Sequence, residues 1–372
     1  MKIETLAIHA ADQPELSRDV TPAIHLSTTF QKAEDGSLRG GHLYSRPSNP
    51  NRDQLERALA TLEGGAAALA FSSGSAATSA ALQSLSPGDH VLAPHDAFYG
   101  TQALLKNILS RWGLQSSQVN MQELSAVERA LEVKPKLVWL ETPSNPLMGV
   151  TDLRAVVAMA KSTGALVACD NTVATPMLQR PLELGADIVM HSVTKFLSGH
   201  SDVLSGVLVF REAGPLFERV HEMQRETGGV PSPFECWLTL RGIQTFPYRM
   251  RAHCENAQHV AEFLSRHPRI EAVHYPGLAT HKGHKVAASQ MTGGFGGLMS
   301  MQVRGGREAA FNVCAGVKIF THATSLGGTH SLIEHRASVE GPNTLSPQNL
   351  LRLSIGLEHW EDLIADLDQA LS

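Results

Sequence analysis

The sequence predicts an α/β protein: a mostly parallel central sheet covered by helices, followed by a smaller α+β C-terminal domain. Three observations predict it. Short, almost wholly apolar runs such as AAALAF, PKLVWLE and ALVACD recur from about residue 66 to 170, as strands buried on both faces do. Amphipathic helical stretches separate them. Near residue 240 the texture changes to a long helical stretch and then mixed elements.

In chain order, residues 1–48 are rich in Thr, Ser, Gly and Pro, carry little helical pattern, and are expected to form an extended arm. NRDQLERALATLEGG reads as a helix stopped by glycines. AAALAF is a strand, and SSGSAATSAALQSL is a small-residue turn entering a helix. HVLAP and PKLVWLE are further strands. VTDLRAVVAMAKSTG is a helix that leads into strand ALVACD. ADIVMHS and VLSGVLVF complete the expected sheet. TLRGIQTFPYRMRAHCENAQHVAEFLSRHP is mostly helical, GGLMSMQV is a strand, and HWEDLIADLDQALS has the Leu and Ile spacing of an amphipathic helix. The expected organisation is an arm at 1–48, a large α/β domain at 49–240 and an α+β domain at 241–372.

Composition narrows the function. The chain has 372 residues, enough to bury a sizeable core without disulfides or metals. Its 31 Lys and Arg against 36 Asp and Glu give a net charge of −5, which argues against a nucleic-acid or anionic-membrane partner. No apolar run approaches a membrane span, and MKIETLAIHAADQPE lacks the apolar core of a secretory signal. Cys169, Cys236, Cys254 and Cys314 are widely spaced, as expected of free thiols in a reducing cytoplasm. No G-x-S-x-G elbow and no H-E-x-x-H pair occurs, so neither a serine hydrolase nor zinc catalysis is expected.

Ligands of open α/β sheets bind beyond the carboxyl ends of the strands, so the residues there are the candidates. Ser72-Ser73-Gly74-Ser75 opens a helix whose free N–H groups suit an anion, although an ordinary helix cap reads the same way. Asn145 stands between two prolines after PKLVWLE. Asp170 ends strand ALVACD, where a carboxylate is costly without a partner and a helix cap is the plain alternative. Lys195 is one of only ten lysines and follows strand ADIVMHS, flanked by Ser192, Thr194, Gly199 and Gly206. A partly buried lysine near other cations has a lowered pKa and can form a Schiff base with a carbonyl. Singly, each feature has a structural reading. Together, an anion-binding helix start, an Asp and a Lys 25 residues further on are the parts that pyridoxal 5′-phosphate requires. Arg352 lies in an alternating apolar strand, where an unpaired charge would be costly.

The segments YSRPSNPN, FSSGSAA, ETPSNP, DNTVATP, HSVTKFLSGHSD, PSPFECWLTLRGIQT, SLGG and LLRLSIGLE carry a resemblance that spans nearly the whole chain. It resembles the trans-sulfuration group of pyridoxal-phosphate enzymes: cystathionine γ-synthases, cystathionine γ- and β-lyases, and methionine γ-lyases. The resemblance implies fold type I, the aspartate-aminotransferase-like fold, and elimination or replacement at Cβ or Cγ of a sulfur amino acid. The type implied is cystathionine γ-synthase or lyase, with methionine γ-lyase or γ-elimination on an unusual amino acid as the alternative.

By matching motif, the resemblance implies that Lys195 carries the cofactor and shuttles the proton. It implies that Asp170 pairs with the ring nitrogen, Tyr99 stacks on the ring and assists proton transfer as a second catalytic residue, and Asn145 meets the ring hydroxyl. Gly74, Ser75, Ser192 and Thr194 would hold the phosphate. Tyr44 and Arg46, in YSR, would reach the phosphate of a neighbouring subunit, giving a homotetramer made of active dimers. Arg352 would bind the substrate α-carboxylate with Ser325 beside it. Three places depart from the family pattern. Tyr99-Gly100-Thr101-Gln102 is one residue short of the usual motif, and the arginine often found soon after it is absent. Thr324 stands where γ-synthases and many γ-lyases carry a Glu that contacts a distal amino group, and Leu326 stands where bacterial β-lyases carry a Trp. His330 replaces a Glu and Arg336 a Pro in the stretch HSLIEHRASVE. Cofactor chemistry is expected to survive these changes, which bear on substrate choice.

Overall fold

The computed structural model describes residues 1–12, 19–341 and 344–372. The expected arm therefore lies partly outside the described residues, at 13–18. Its start is not extended. Ile3–His9 is a helix, because Ile3, Leu6, Ala7 and Ala10 fall on one face and pack in the core with the long helix Pro233–Arg266. The Thr-, Ser- and Pro-rich composition of the segment hides that short apolar stripe.

Seven strands form the central sheet: β1 Ala67–Phe71, β2 His90–Pro94, β3 Gln115–Val119, β4 Leu137–Glu141, β5 Leu166–Asp170, β6 Ile188–Ser192 and β7 Gly206–Phe210. Their order is β1-β7-β6-β5-β4-β2-β3. Only β7 runs against the others, pairing antiparallel with β1 and β6. The remaining pairs are parallel. Strand β3, QSSQV, was not expected from the sequence: it is a polar edge strand without the apolar run that marks its neighbours.

Because six strands share one direction, the carboxyl ends of β1, β4, β5 and β6 and the amino end of β7 lie along one sheet edge. The helix Pro50–Glu63 ends where Gly64 adopts φ 73°, which turns the chain directly into β1. The helix Gly74–Gln83 follows β1 and buries Ala77, Ala80, Ala81 and Leu82 against the sheet.

The 34-residue helix Pro233–Arg266 begins with a reciprocal cap between Ser232 and Glu235. Its first part (Cys236, Leu240, Ile243, Phe246, Met250) packs in the core of the large sheet. Its last turns (Ala257, Val260, Ala261, Leu264) pack in a second core under the C-terminal sheet. Residues 240 and 241, where the sequence puts the junction, are consecutive within this helix.

The C-terminal sheet contains β8 Ile270–His274, β9 Leu298–Val303, β10 Thr321–His322, β11 Leu332–His335 and β12 Leu350–Ser354, in the order β10-β11-β12-β9-β8. The register sets Arg352 on β12 opposite Glu334 on β11 and Ser300 on β9. Among the described residues no helix is long and apolar enough to cross a membrane. The four cysteines are buried and free.

Candidate active site

One cavity of about 290 Å³ opens at the shared sheet edge. It brings together Gly74, Ser75, Tyr99, Asn145, Asp170, Ser192, Thr194, Lys195, Thr324, Ser325 and Arg352. Tyr44 and Arg46 do not line it. Tyr44 is 44% exposed, and Arg46 donates through Nη1 to the Arg225 carbonyl.

The helix Gly74–Gln83 starts at the cavity. Ser73 caps it, its side chain accepting from the Ala76 N–H at 3.0 Å. The N–H groups of Gly74 and Ser75, in the first turn, have no intrahelical acceptor. A Cβ on Gly74 would lie 2.9 Å from Ser192 Cβ, so glycine is what lets this helix start close to the end of β6. On the other side, a Cβ on Gly206 would lie 2.3 Å from the Ser73 carbonyl oxygen. Free N–H donors held this close to Ser192 and Thr194 make a cradle suited to phosphate.

Asp170, at the end of β5, is partly open to the cavity. Its Oδ1 accepts the Thr172 N–H at 3.0 Å. Burial raises its pKa, against the contacts with Thr172 and the pull of His191. Glu141 sits beside it, in register on β4. Burial and then the Asp170 charge hold Glu141 well above the usual carboxylate range. Glu141 accepts the Phe98 N–H at 2.7 Å and the Asn145 N–H at 3.1 Å, so it ties the loop of Tyr99 to the loop of Asn145. Two X–Pro peptide bonds in this loop, Thr142–Pro143 and Asn145–Pro146, are cis.

Lys195 donates through Nζ to Ser325 Oγ at 2.7 Å. Burial and the nearby Arg352 lower its pKa to about 8. Ser325 has φ 91°, a strained conformation for a side-chain-bearing residue. Two contacts hold it there: the one from Lys195, and that of its carbonyl, which accepts from Arg352 Nη2 at 2.8 Å. Arg352 is buried, with its pKa lowered to about 10 mainly by burial. Its Nη2 also meets Glu334 Oε2 at 2.8 Å, its Nη1 reaches Asn145 Oδ1 only at 3.5 Å, and its Nε has no partner among the described residues. An unpaired buried guanidinium donor at a cavity is what a carboxylate site carries before its ligand binds. Thr324 is exposed at the mouth and supplies no charge there.

Among the lining residues to which sequence reasoning gave no role, four stand out. Glu141 stood inside the quoted motif ETPSNP without a role. Phe98 and Leu204 line the wall. Arg336, noted only as a departure, lines the cavity as a buried guanidinium.

A mostly parallel sheet whose edge joins an open helix start, a carboxylate and a lysine amine of lowered pKa defines a fold type I pyridoxal-phosphate enzyme. More particularly, the chain belongs to the family described as Cys/Met metabolism PLP-dependent enzyme, whose profile matches residues 4–372. It is 47% identical to a cystathionine gamma-synthase of Mycobacterium tuberculosis over 374 residues, covering 99% of this chain and 96% of that protein. It is 40% identical to a cystathionine beta-lyase of Coxiella burnetii over 379 residues, covering 99% of this chain and 97% of that one. Among solved structures, cystathionine gamma synthase from Xanthomonas oryzae pv. oryzae in complex with cystathionine is similar with a TM-score of 0.96 and 42% identity, covering 100% of this chain and 98% of that chain. The protein is a pyridoxal-phosphate-dependent enzyme of sulfur amino-acid metabolism, and its cavity residues fit that cofactor: free helix N–H groups for the phosphate, the cavity-facing carboxylate of Asp170 for the ring nitrogen, and an amine for the aldehyde.

Proposed function

We propose that the protein catalyses replacement at Cγ of an activated homoserine ester by the thiol of cysteine, forming cystathionine. The C–O bond at Cγ breaks and the carboxylate leaves. The C–S bond forms and the thiol proton is released. The observation that carries this reading is the convergence of Lys195, Ser325 and Arg352 on one cavity, with Lys195 Nζ and Arg352 Nη2 both bonded to Ser325, in a chain 47% identical to a cystathionine gamma-synthase.

When bound, pyridoxal phosphate supplies an electron sink for the pair left when a proton leaves Cα. The chain's residues do the rest. Arg352 holds the substrate carboxylate through the donors left free by Glu334 and the Ser325 carbonyl. Lys195 removes the proton from Cα, and a second removal from Cβ by the same amine loosens the bond at Cγ. Ser325 orients that amine between the two removals. Asp170 keeps the ring nitrogen protonated, and Glu141 fixes the loops of Tyr99 and Asn145 around the ring. Gly74, Ser75, Ser192 and Thr194 hold the phosphate. A second copy of the chain supplies Tyr44 and Arg46, within a homotetramer of active dimers in the cytoplasm. Leu204, which lines the cavity and is 58% exposed, leaves an apolar rim that a second copy would cover.

Thr324 supports a second reading, γ-elimination on a substrate without a distal ammonium, because no acidic side chain stands at that position. Product analysis with a homoserine ester and cysteine separates the two. Cystathionine as the main product is expected. 2-Oxobutyrate and ammonia at the same rate with or without cysteine would contradict replacement and favour elimination.

A further inference from the structure

Arg336 is fully buried, an expensive place for a guanidinium unless its partners are good. Its Nη1 donates to Glu334 Oε2 at 2.7 Å. Its Nε and Nη2 donate to Glu340 Oε1 at 3.2 and 3.0 Å. The other Glu340 oxygen accepts from Thr344 Oγ1 at 2.5 Å and Ser346 Oγ at 2.7 Å. Glu334 Oε2 is at the same time 2.8 Å from Arg352 Nη2, its cross-strand neighbour. The four side chains thus form a ladder, Arg352–Glu334–Arg336–Glu340, whose first and third rungs line the cavity. Arg336 also lies over the Tyr99 ring, 5.8 Å from its centroid.

The order of charges matters. A carboxylate in contact with one guanidinium alone would neutralise it and compete with an incoming substrate carboxylate. Glu334 is instead shared. Arg336 takes part of its charge, while Glu340 limits how much Arg336 can take. We propose that Arg336 is a positioning residue that sets how strongly Arg352 binds the substrate carboxylate, by drawing Glu334 away from it. The proposal rests on the reading of Arg352 as the carboxylate site.

The test measures binding of two unreactive probes to the cofactor-loaded enzyme by calorimetry: L-norleucine, and its amide, which lacks the carboxylate. Arg336→Met should weaken norleucine about tenfold and leave the amide unchanged, because Glu334 then pairs with Arg352 alone. Adding Glu334→Gln should recover most of that loss, a rescue that a merely structural role of Arg336 does not produce. Glu340→Gln should act with the opposite sign and tighten norleucine a few-fold, since Arg336 is then free to draw Glu334 further. Arg336→Lys should stay near the parent because the charge is kept. An unchanged norleucine-to-amide ratio in Arg336→Met, or a double variant as weak as the single, would overturn the proposal. If Arg336→Met does not fold, Glu340→Gln decides, and weaker or unchanged norleucine binding overturns the proposal. Arg352→Met separates the two layers. It should erase the preference for norleucine over its amide, and a retained preference would overturn the carboxylate assignment itself.

Discussion

Lys195 and Asp170 show how burial prepares opposite charges for one ligand. The Lys195 pKa lies near 8 instead of the ordinary 10.5, so a useful share of the amine is uncharged at neutral pH. Only the uncharged amine attacks an aldehyde. The rate of cofactor uptake by the cofactor-free protein should therefore rise as pH increases through about 8 and level off above it. A stopped-flow rate that is flat from pH 7 to 9 would contradict this. Lys195→Ala should lower turnover by at least about 10³-fold, measured as product formed per active site. Asp170 is held protonated more than an ordinary carboxylate, so its ionisation opposes folding of the cofactor-free protein above the usual carboxylate pKa. Asp170→Asn should leave the melting temperature of the cofactor-free protein equal or higher while weakening cofactor binding at least about tenfold. A lower melting temperature with unchanged affinity would show a structural cap instead. Residues inside motifs were legible in the sequence at this scale: Lys195, Asp170, Asn145 and Arg352 all reach the cavity. Arg336 was legible only as a departure, because its meaning depends on Glu334 and Glu340, contacts that no spacing rule announces.

At the scale of elements, the site exists because β1, β4, β5 and β6 end on one edge while β7 begins there. One close backbone approach at this edge is between Gly206, which opens β7, and Ser73 at the start of the helix Gly74–Gln83. In Gly206→Ala the new methyl would meet Ser73 backbone at 2.3 Å, which nothing flexible can relieve. This substitution should cost about 1–3 kcal/mol in chemical denaturation, and cofactor affinity should fall with it because the same shift moves the phosphate cradle. Intact affinity would mean that the cradle lies elsewhere. The continuous apolar strands and the glycine-stopped helix Pro50–Glu63 were readable from composition and period. The polar edge strand β3 and the helix Ile3–His9 were not. The first has no apolar run, and the second is held by packing on a helix more than two hundred residues away in sequence.

Across the whole molecule, one chain brings eleven of the thirteen expected site residues to one cavity and leaves Tyr44 and Arg46 outside it. No single-chain pattern reveals which surface a second copy covers, so their role came from the resemblance alone. If a second copy completes each site, two inactive variants should complement. Mixing and reassembling Lys195→Ala with Arg46→Ala subunits should restore roughly a quarter of parental activity, since half the dimers are hybrids with one sound site in two. No recovery with hybrids demonstrably formed would place Arg46 outside the site. The claim on which everything else depends is that Lys195 is the residue that carries the cofactor. Borohydride reduction of the loaded enzyme followed by peptide mass spectrometry tests it most directly. One stable cofactor adduct is expected, on the peptide containing Lys195. An adduct on a different lysine, or none in an enzyme that still turns over, would contradict it.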